Sequence, residues 1–216
     1  MDYTDVRLKI KVLFLWVNIS FVFLILPALL VFGFKPYYFM RFEKLGVYSE
    51  FSQINIPRDK VNEKFEEVID YVFLSRRNID IRFFSKEDTI HLQDVRNIFI
   101  ALLITTIVFI LDLAIRINSY RKNIKILSRY SLYYIIFFTV FTLLVVSFFN
   151  DFFVLFHRII FINNYWLLNP ATSNLIKIFP EQIFYELFII VSIANVFLHA
   201  IFLLLGKTLN EKSSRK

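Results

Sequence analysis

Three histidines and a nearby carboxylate are the residues of this sequence best suited to acid–base chemistry. His91 and Asp94 are three residues apart, so on a helix they would share one face. His157 and Arg158 lie together in the apolar run 151–161. A histidine near its ordinary pKa of about 6.5 can accept one proton and return another, and a neighbouring carboxylate favours the imidazolium. The pattern predicts proton-transfer chemistry.

Composition excludes several other chemistries. There is no cysteine, so disulfides, thiolate zinc ligands and a cysteine nucleophile are excluded. The 3 glycines form no P-loop or dinucleotide fingerprint, and no HExxH occurs. A metallohydrolase with His91, Asp94 and His157 as ligands remains an alternative, although HxxD on one helix plus a distant histidine is a weak metal signature. We expect neither a metal nor a cofactor.

The elements that must position these residues cross a membrane. The 216 residues are 57% hydrophobic, and the mean hydropathy is +0.59. A crossing helix needs about 20 apolar residues. Four segments meet this requirement, at about 12–34, 97–115, 131–149 and 183–205. The sequence predicts an all-α membrane protein with four transmembrane helices, forming a single integral membrane domain over residues 1–216.

The distribution of lysine and arginine predicts the orientation of the spans. Twelve basic residues fall on one side of the membrane by parity. They are Arg7, Lys9, Lys11, Arg116, Arg121, Lys122, Lys125, Arg129, Lys207, Lys212, Arg215 and Lys216. Segments 35–96 and 150–182 carry equal numbers of acidic and basic residues. The positive-inside rule therefore places both termini in the cytoplasm and these two segments outside the cell membrane. The charge reflects topology and anionic lipid rather than nucleic acid.

The long external segment 35–96 is predicted to fold as a small cap. Residues 60–74 carry apolar side chains at helical spacing and predict an amphipathic helix with a core-facing stripe. Residues 79–84 alternate enough for a short strand. Ser85 resembles an N-cap, which predicts one helix from Lys86 straight into the second span. His91 and Asp94 would then stand roughly 5–10 Å outside the apolar start of that span.

The second external segment contains DFFVLFHRIIF at 151–161, which is too short and too polar to be a fifth crossing. We interpret it as an interfacial or re-entrant helix. Tyr165 and Trp166 follow it and suit a membrane-interface belt. His91 and His157 thus fall on one side of the membrane at similar depth, whereas His199 lies near the cytoplasmic end of the fourth span.

Each of these residues also has a structural interpretation. A lone interfacial histidine is usually a hydrogen-bonded structural residue, and Asp94 could pair with Arg96. Arg158 could hold a lipid phosphate. We interpret His199 as a helix-packing or snorkelling residue. Two further predictions concern ionisable groups near the span ends: Asp112 pairs with Arg116 at i,i+4 spacing, and Glu186 is a functional candidate because of its depth.

Two stretches resemble the signatures of one family of small bacterial integral membrane proteins. The first is HLQDV at 91–95, and the second is FHRIIF at 156–161 followed by Trp166, Asn169-Pro170, Leu175-Ile176 and Phe179-Pro180-Glu181. The family includes the lipoprotein intramolecular transacylase of low-GC Gram-positive bacteria. The resemblance extends over nearly the whole chain in length and span order. The sequence departs from the family at Asn164 and Asn174, where acidic residues are usual.

The resemblance implies a reaction and its participants. The family's transacylase is an acyltransferase that moves the sn-2 acyl chain of a lipoprotein's S-diacylglyceryl group onto the α-amino group of the N-terminal cysteine, giving the lyso form. For this reaction we predict His91, Asp94 and His157 as catalytic residues, with His157, Arg158 or asparagine side chains stabilising the oxyanion. We predict Arg158, Asn163 and Trp166 as substrate-binding residues. The partners would be diacylglyceryl-modified lipoproteins and membrane lipid. The alternatives are the metallohydrolase and a membrane accessory or sensor protein without enzymatic activity.

Overall fold

The computed structural model describes residues 3–120 and 124–214. Within these residues the chain forms nine helices and no strand. In chain order they are α1 (Tyr3–Phe32), α2 (Lys35–Lys44), α3 (Val47–Ser52), α4 (Arg58–Val72), α5 (Lys86–Tyr120), α6 (Ile124–Ser147), α7 (Phe149–Ile160), α8 (Asn174–Ile178) and α9 (Glu181–Ser214). Arg121, Lys122, Arg215 and Lys216, which the orientation prediction uses, lie outside the described residues.

Four of the described helices are long and apolar enough to cross a membrane. The candidate spans are Ile10–Phe32, Lys86–Arg116, Ile126–Ser147 and Glu181–Thr208. The prediction of an all-α protein with four spans is confirmed. The predicted continuous helix from Lys86 into the second span is confirmed as well, because α5 is unbroken over its length.

The predicted short strand at residues 79–84 is wrong. The backbone N–H groups of Phe83 and Phe84 bond to the carbonyl of Asp80 at 3.1 and 3.0 Å, so the chain turns instead of extending. The carboxylate of Asp80 accepts a further bond from the N–H of Arg82 at 2.9 Å. Aspartate side chains commonly compete with strand pairing by such local bonds. Here the local bonds outweigh the alternation of polar and apolar residues.

The chain forms two compact units. The first comprises α6 together with the part of α1 up to Ala28, of α5 from Leu103 and of α9 from Ile189. Its ionisable side chains include Asp112, which accepts a bond from Asn18 Nδ2 at 3.1 Å. Asp112 accepts from Arg116 Nε at 2.7 Å, which confirms the predicted pair.

His199 belongs to the first unit and is a packing residue, as predicted. It is fully buried. Its Nδ1 lies 3.1 Å from Ser131 Oγ. Its ring lies 4.2 Å from that of Tyr134, between centroids. This environment accounts for the histidine without a chemical role.

The second unit comprises Leu29–Leu102 and Phe148–Phe188. Its core is rich in aromatic rings and includes 10 of the 28 phenylalanines. The core-facing stripe predicted for 60–74 is confirmed on α4. The stripe residues, all exposed by 2% or less, are Val61, Phe65, Val68, Ile69 and Val72.

A buried ionic cluster fixes the turn between α4 and α5 within the second unit. Lys64 Nζ bonds to Glu67 at 2.8 Å and to Asp80 at 2.7 Å. Burial lowers the pKa of Lys64, but the bonds from Asp80 and Glu67 outweigh this effect and raise the pKa above its ordinary value. Glu67 also accepts the backbone N–H of Asp80. The cluster ties residue 80 to α4 and so sets where the following helix α5 begins.

Candidate active site

The start of α5 is fixed by a reciprocal cap, and this places His91 on the helix. Asp88 N donates to Ser85 Oγ at 3.0 Å, and Ser85 N donates back to an Asp88 carboxylate oxygen at 3.1 Å. Two N–H groups that a helix start leaves unpaired are thereby satisfied. The N-cap predicted at Ser85 is confirmed. His91 follows within the second turn, with its side chain set rigidly by the helix.

His91 and His157 come together although 66 positions of sequence separate their numbers. Their ring centroids are 5.9 Å apart, with an angle of 38° between the ring planes. Each side chain is only 9% exposed. The Nδ1 atom of His91 is buried and has no hydrogen-bond partner among the residues that the structure describes. The structure therefore brings together the two histidines that the sequence analysis placed on one side of the membrane.

Helix α7 presents His157 to this site because the helix is amphipathic. His157 is the buried residue of α7, whereas Phe156, Arg158 and Ile159 on either side of it are exposed. The helix predicted for residues 151–161 is thus confirmed as an element. Its predicted interfacial or re-entrant position stays a prediction.

One hydrogen bond sets the tautomer of His157. Its Nδ1 lies 2.6 Å from the backbone carbonyl of Phe153. A carbonyl oxygen can only accept, so Nδ1 carries the proton and donates. In the neutral ring Nε2 then keeps its lone pair. Burial lowers the pKa of His157, and the bond to Phe153 opposes this in part, so the neutral ring with a basic Nε2 is the main form at pH 7.

Aromatic rings surround the two imidazoles. His157 has the ring of Phe153 at 4.3 Å, of Trp166 at 5.2 Å and of Phe161 at 5.5 Å, between centroids. Phe161 also contacts His91 edge-on at 4.8 Å. None of these three rings accepts a proton at a ring nitrogen or oxygen lone pair. The two histidines are therefore the acid–base groups of an apolar, largely water-excluding environment.

Asp94 contacts the loop after α7. Its Oδ2 accepts a bond from Asn163 Nδ2 at 2.8 Å. Asn163 Oδ1 in turn accepts the N–H of Tyr165 at 3.0 Å. The hydrogen bond by which Asp94 would orient Nδ1 of His91 is not formed here, since that nitrogen has no partner. The orienting role of Asp94 stays a prediction, while its hold on Asn163 was not foreseen.

The pairing of Asp94 with Arg96, considered as a structural explanation, does not occur. Arg96 donates to the carbonyls of Arg76 and Arg77, at 3.2 and 3.4 Å, and its guanidinium lies over the ring of Tyr71 at 4.4 Å. Arg158 is exposed, and within the described residues it makes no ion pair. Its positive charge is thus available to an anionic group.

The metal alternative finds no support in the geometry. Among the described residues, no group of three histidine, aspartate or glutamate side chains is arranged so that it could hold a metal ion. His91 and His157 are close, but Asp94 is engaged with Asn163. The arrangement suits proton transfer between side chains and a bound substrate.

The second unit contains another polar cluster, of which the sequence analysis predicted only one member, Glu186. Glu186, predicted as a functional candidate, accepts a bond from Tyr37 Oη at 2.5 Å and another from Arg41. Burial and the neighbouring carboxylate raise the pKa of Tyr37 well above its ordinary value. Tyr37 and Arg41 are spaced i,i+4, which places them on one helix face, but nothing in the sequence points to a partner near residue 186. The cluster joins α2 to the start of α9.

Comparison with known proteins identifies one family and one fold. The family described as "Lipoprotein intramolecular transacylase Lit" matches residues 13–184. A solved structure of the membrane integral lipoprotein intramolecular transacylase Lit from Bacillus cereus has a TM-score of 0.81 at 20% identity, and the match covers 96% of this chain and 98% of that one. A variant of the same protein with a histidine replaced by alanine has a TM-score of 0.80 at 20% identity, with 99% of both chains covered. At this identity the structural likeness shows a shared fold. No curated protein matches the chain.

Proposed function

The chain belongs to the family of the lipoprotein intramolecular transacylase Lit and is a transferase, and we propose that its two neighbouring histidines catalyse the transfer. In this proposal the sn-2 acyl chain of a diacylglyceryl-modified lipoprotein moves to the α-amino group of its N-terminal cysteine. The observation that carries the proposal is the pair of imidazole rings 5.9 Å apart in an aromatic environment.

His157 acts as the base. Its Nδ1 is committed to the carbonyl of Phe153, so Nε2 is the nitrogen that takes a proton. The α-ammonium of the substrate loses a proton to this nitrogen and becomes the neutral nucleophile. The amine nitrogen then attacks the carbonyl carbon of the sn-2 ester and forms a tetrahedral oxyanion. Because His157 is mainly neutral at pH 7, no free energy is spent on deprotonating it first.

His91 completes the transfer as acid and base. After the attack the amine nitrogen carries a surplus proton, which His91 takes as a base. His91 then gives this proton to the glycerol oxygen as the ester C–O bond breaks, so the oxygen leaves as an alcohol, and the proton held by His157 is released to solvent. An amide and a hydroxyl replace an amine and an ester, and no water is consumed. To Asp94, three residues along the same helix, we assign the role of orienting the His91 imidazole. Amine and ester belong to one molecule, so proximity supplies much of the rate.

We assign substrate binding to Arg158 and Trp166 directly and to Asn163 indirectly. Trp166 offers an aromatic surface beside the base, at 5.2 Å from His157. Arg158 is an exposed cation next to the buried histidine, where it can meet a phosphate or carbonyl oxygen. Asn163 acts through its position, because both ends of its amide are already bonded.

The location of the site follows the charge distribution. The chain is a multi-pass membrane protein. We infer from the twelve basic residues on the opposite side that His91 and His157 face outward, with both termini in the cytoplasm. There the substrate's glyceryl esters lie at headgroup level in the outer leaflet. No nucleic acid is involved.

The experiment must recognise an isomerisation, because intramolecular transfer leaves the mass of the lipopeptide unchanged. Lipoproteins are isolated from a host without other N-acylating enzymes, with and without this chain, and treated with an amine-reactive isotopic label before mass spectrometry. We expect the label to be lost from the N-terminal cysteine when the chain is present, at constant lipid mass. A hydrolase would instead remove one acyl chain and leave a labelled amine. An accessory protein would change neither.

A chelation arm separates the metallohydrolase further. Membranes carrying the protein are treated with a strong chelator, exchanged into metal-free buffer and assayed in the same way. We expect transfer to persist. Loss of activity with specific recovery on adding zinc would favour the hydrolase over the proposal.

A further inference from the structure

The loop formed by residues 161–173 connects α7 to α8 and carries Trp166 against His157. It has no helix or strand of its own, and ordered loops of about 13 residues are uncommon unless something holds them. Two side-chain contacts bind it to α5. Near its start Asn163 bonds to Asp94, and at its end Ser173 Oγ donates to Asp88 Oδ1 at 2.5 Å.

Asp88 is a buried carboxylate, and both of its oxygens accept hydrogen bonds. It is 0% exposed. One oxygen accepts Ser173 Oγ, and the other accepts the N–H of Ser85. Ser173 is 2% exposed, and its oxygen also caps α8 by accepting the N–H of Ile176 at 3.2 Å. A buried carboxylate is tolerated only when it is hydrogen-bonded, so the loop cannot leave α5 without a large penalty.

The two contacts are placed on either side of a catalytic residue. Asp88 and Asp94 are six residues apart on α5, a separation of about 9 Å along the helix axis. His91 lies midway between them. A single rigid stretch of helix therefore fixes one histidine directly and, through the two aspartates, fixes the loop that packs on the other.

We propose that Asp88 through Ser173, and Asp94 through Asn163, are positioning residues that hold the loop 161–173 so that Trp166 packs against His157. The pair acts on the reaction by confining the base and the substrate beside it, and no proton passes through either aspartate. The effect on rate rests on the proposed function. The effect on Trp166 rests on geometry alone.

Trp166 itself provides the readout. The chain has 2 tryptophans, so Trp16→Phe leaves Trp166 as the reporter. A protonated imidazole quenches a tryptophan that it contacts, so the emission of the Trp16→Phe parent should step down as pH falls through the pKa of His157. The purified full chain in lipid vesicles is used. Emission is recorded against pH and against acrylamide, and transfer is measured on a diacylglyceryl lipopeptide.

Ser173→Ala and Asn163→Ala each remove one contact, and Ser85→Ala is the matched control. Ser85→Ala removes a bond of the same helix cap without touching the loop. We expect Ser173→Ala to increase acrylamide quenching, shrink the pH step and slow transfer about tenfold or more, as the loss of a bond to a buried charge implies. Asn163→Ala should do the same to a smaller extent, and Ser85→Ala should leave the pH step intact.

Two results would overturn the inference. One is an unchanged pH step and unchanged quenching in both loop variants. The other is an equal effect of Ser85→Ala and Ser173→Ala, which would reduce Asp88 to a helix cap. If the parent protein shows no transfer at all, the proposed function fails, while the emission of Trp166 still decides whether the contacts hold the loop.

Discussion

Replacing His157 by alanine should nearly abolish transfer while leaving the fold intact. The surrounding rings of Phe153, Phe161 and Trp166 cannot accept a proton, and the remaining imidazole, that of His91, is assigned to the leaving oxygen. Loss of a positioned acid or base costs about 10²–10⁴ in rate, or roughly 3–5 kcal/mol of barrier. Because His91 would have to serve both proton transfers, we expect a loss of about 10³.

The same assay is applied to His91→Ala and to the double variant. If the two histidines act on one proton-transfer sequence, the double variant should lose little more than the worse single variant, because effects of groups that act as a unit are not additive. Rates come from loss of amine labelling on a synthetic lipopeptide, normalised to folded protein in the vesicles.

His199→Gln is the matched histidine control. His199 is buried in the first unit, and its Nδ1 is hydrogen-bonded to Ser131 Oγ. We expect its rate per folded molecule to stay within about twofold of wild type, with roughly 1 kcal/mol lost from stability. Two results would refute the assignment of His157 as the base. One is a His157→Ala variant that keeps more than about a tenth of the wild-type rate. The other is a loss of rate in His199→Gln as large as that in His157→Ala.

Three further predictions concern pH, topology and stability. The transfer rate should rise with pH and level off, because burial lowers the pKa of His157 below its ordinary value and the neutral ring is the active form. The emission of Trp166 against pH distinguishes the titration of His157 from that of the substrate amine. A step in this emission above about pH 6.5 would contradict the prediction. Single cysteines introduced at Asn62 and Asn164 should react with a reagent added outside the cell. A cysteine at Asn123, a position that the structure does not describe, should react only from the cytoplasmic side, and labelling of it by the external reagent would overturn the orientation. Lys64→Met should destabilise the second unit by about 3–5 kcal/mol, because it leaves Glu67 and Asp80 without their shared ammonium; thermal unfolding against the exposed control Lys60→Met checks this, and equal losses would refute it.

The features of the fold that were predictable from the sequence are those set by long, repeating patterns of apolar residues. Apolar runs longer than a bilayer core identify the four spans, and a 3.6-residue stripe identifies α4, because each pattern repeats enough to outweigh local exceptions. The strand at 79–84 failed for the opposite reason. It rested on six residues, and a few bonds from Asp80 were enough to turn the chain.

For the candidate site, the sequence predicted only which side of the membrane each histidine lies on. Parity of the spans places His91 and His157 on one side, and the structure adds that their rings meet. The tautomer of His157 depends on a carbonyl four residues earlier, which the helix itself supplies. The bonds from Ser173 to Asp88 and from Arg41 to Glu186 join residues 85 and 145 positions apart, and no local spacing encodes such contacts.

The departure from the family at Asn174 has a physical explanation in the structure. Asn174 Nδ2 donates to the backbone carbonyl of Phe83 at 2.7 Å. An ionised carboxylate has no proton to donate to that oxygen. The asparagine therefore adds a contact between α8 and the turn before α5 that an acidic residue at this position would not make.

A crossover measurement tests the central claim most directly. Purified protein in vesicles is given two diacylglyceryl lipopeptides that differ both in peptide mass and in the isotopic label of the sn-2 acyl chain, with no other acyl donor present. If amine and ester react within one molecule, each peptide keeps its own label, now on the cysteine nitrogen, and no mixed product forms. Mixed products in proportion to the two substrates, or products with one acyl chain fewer, would contradict intramolecular transfer.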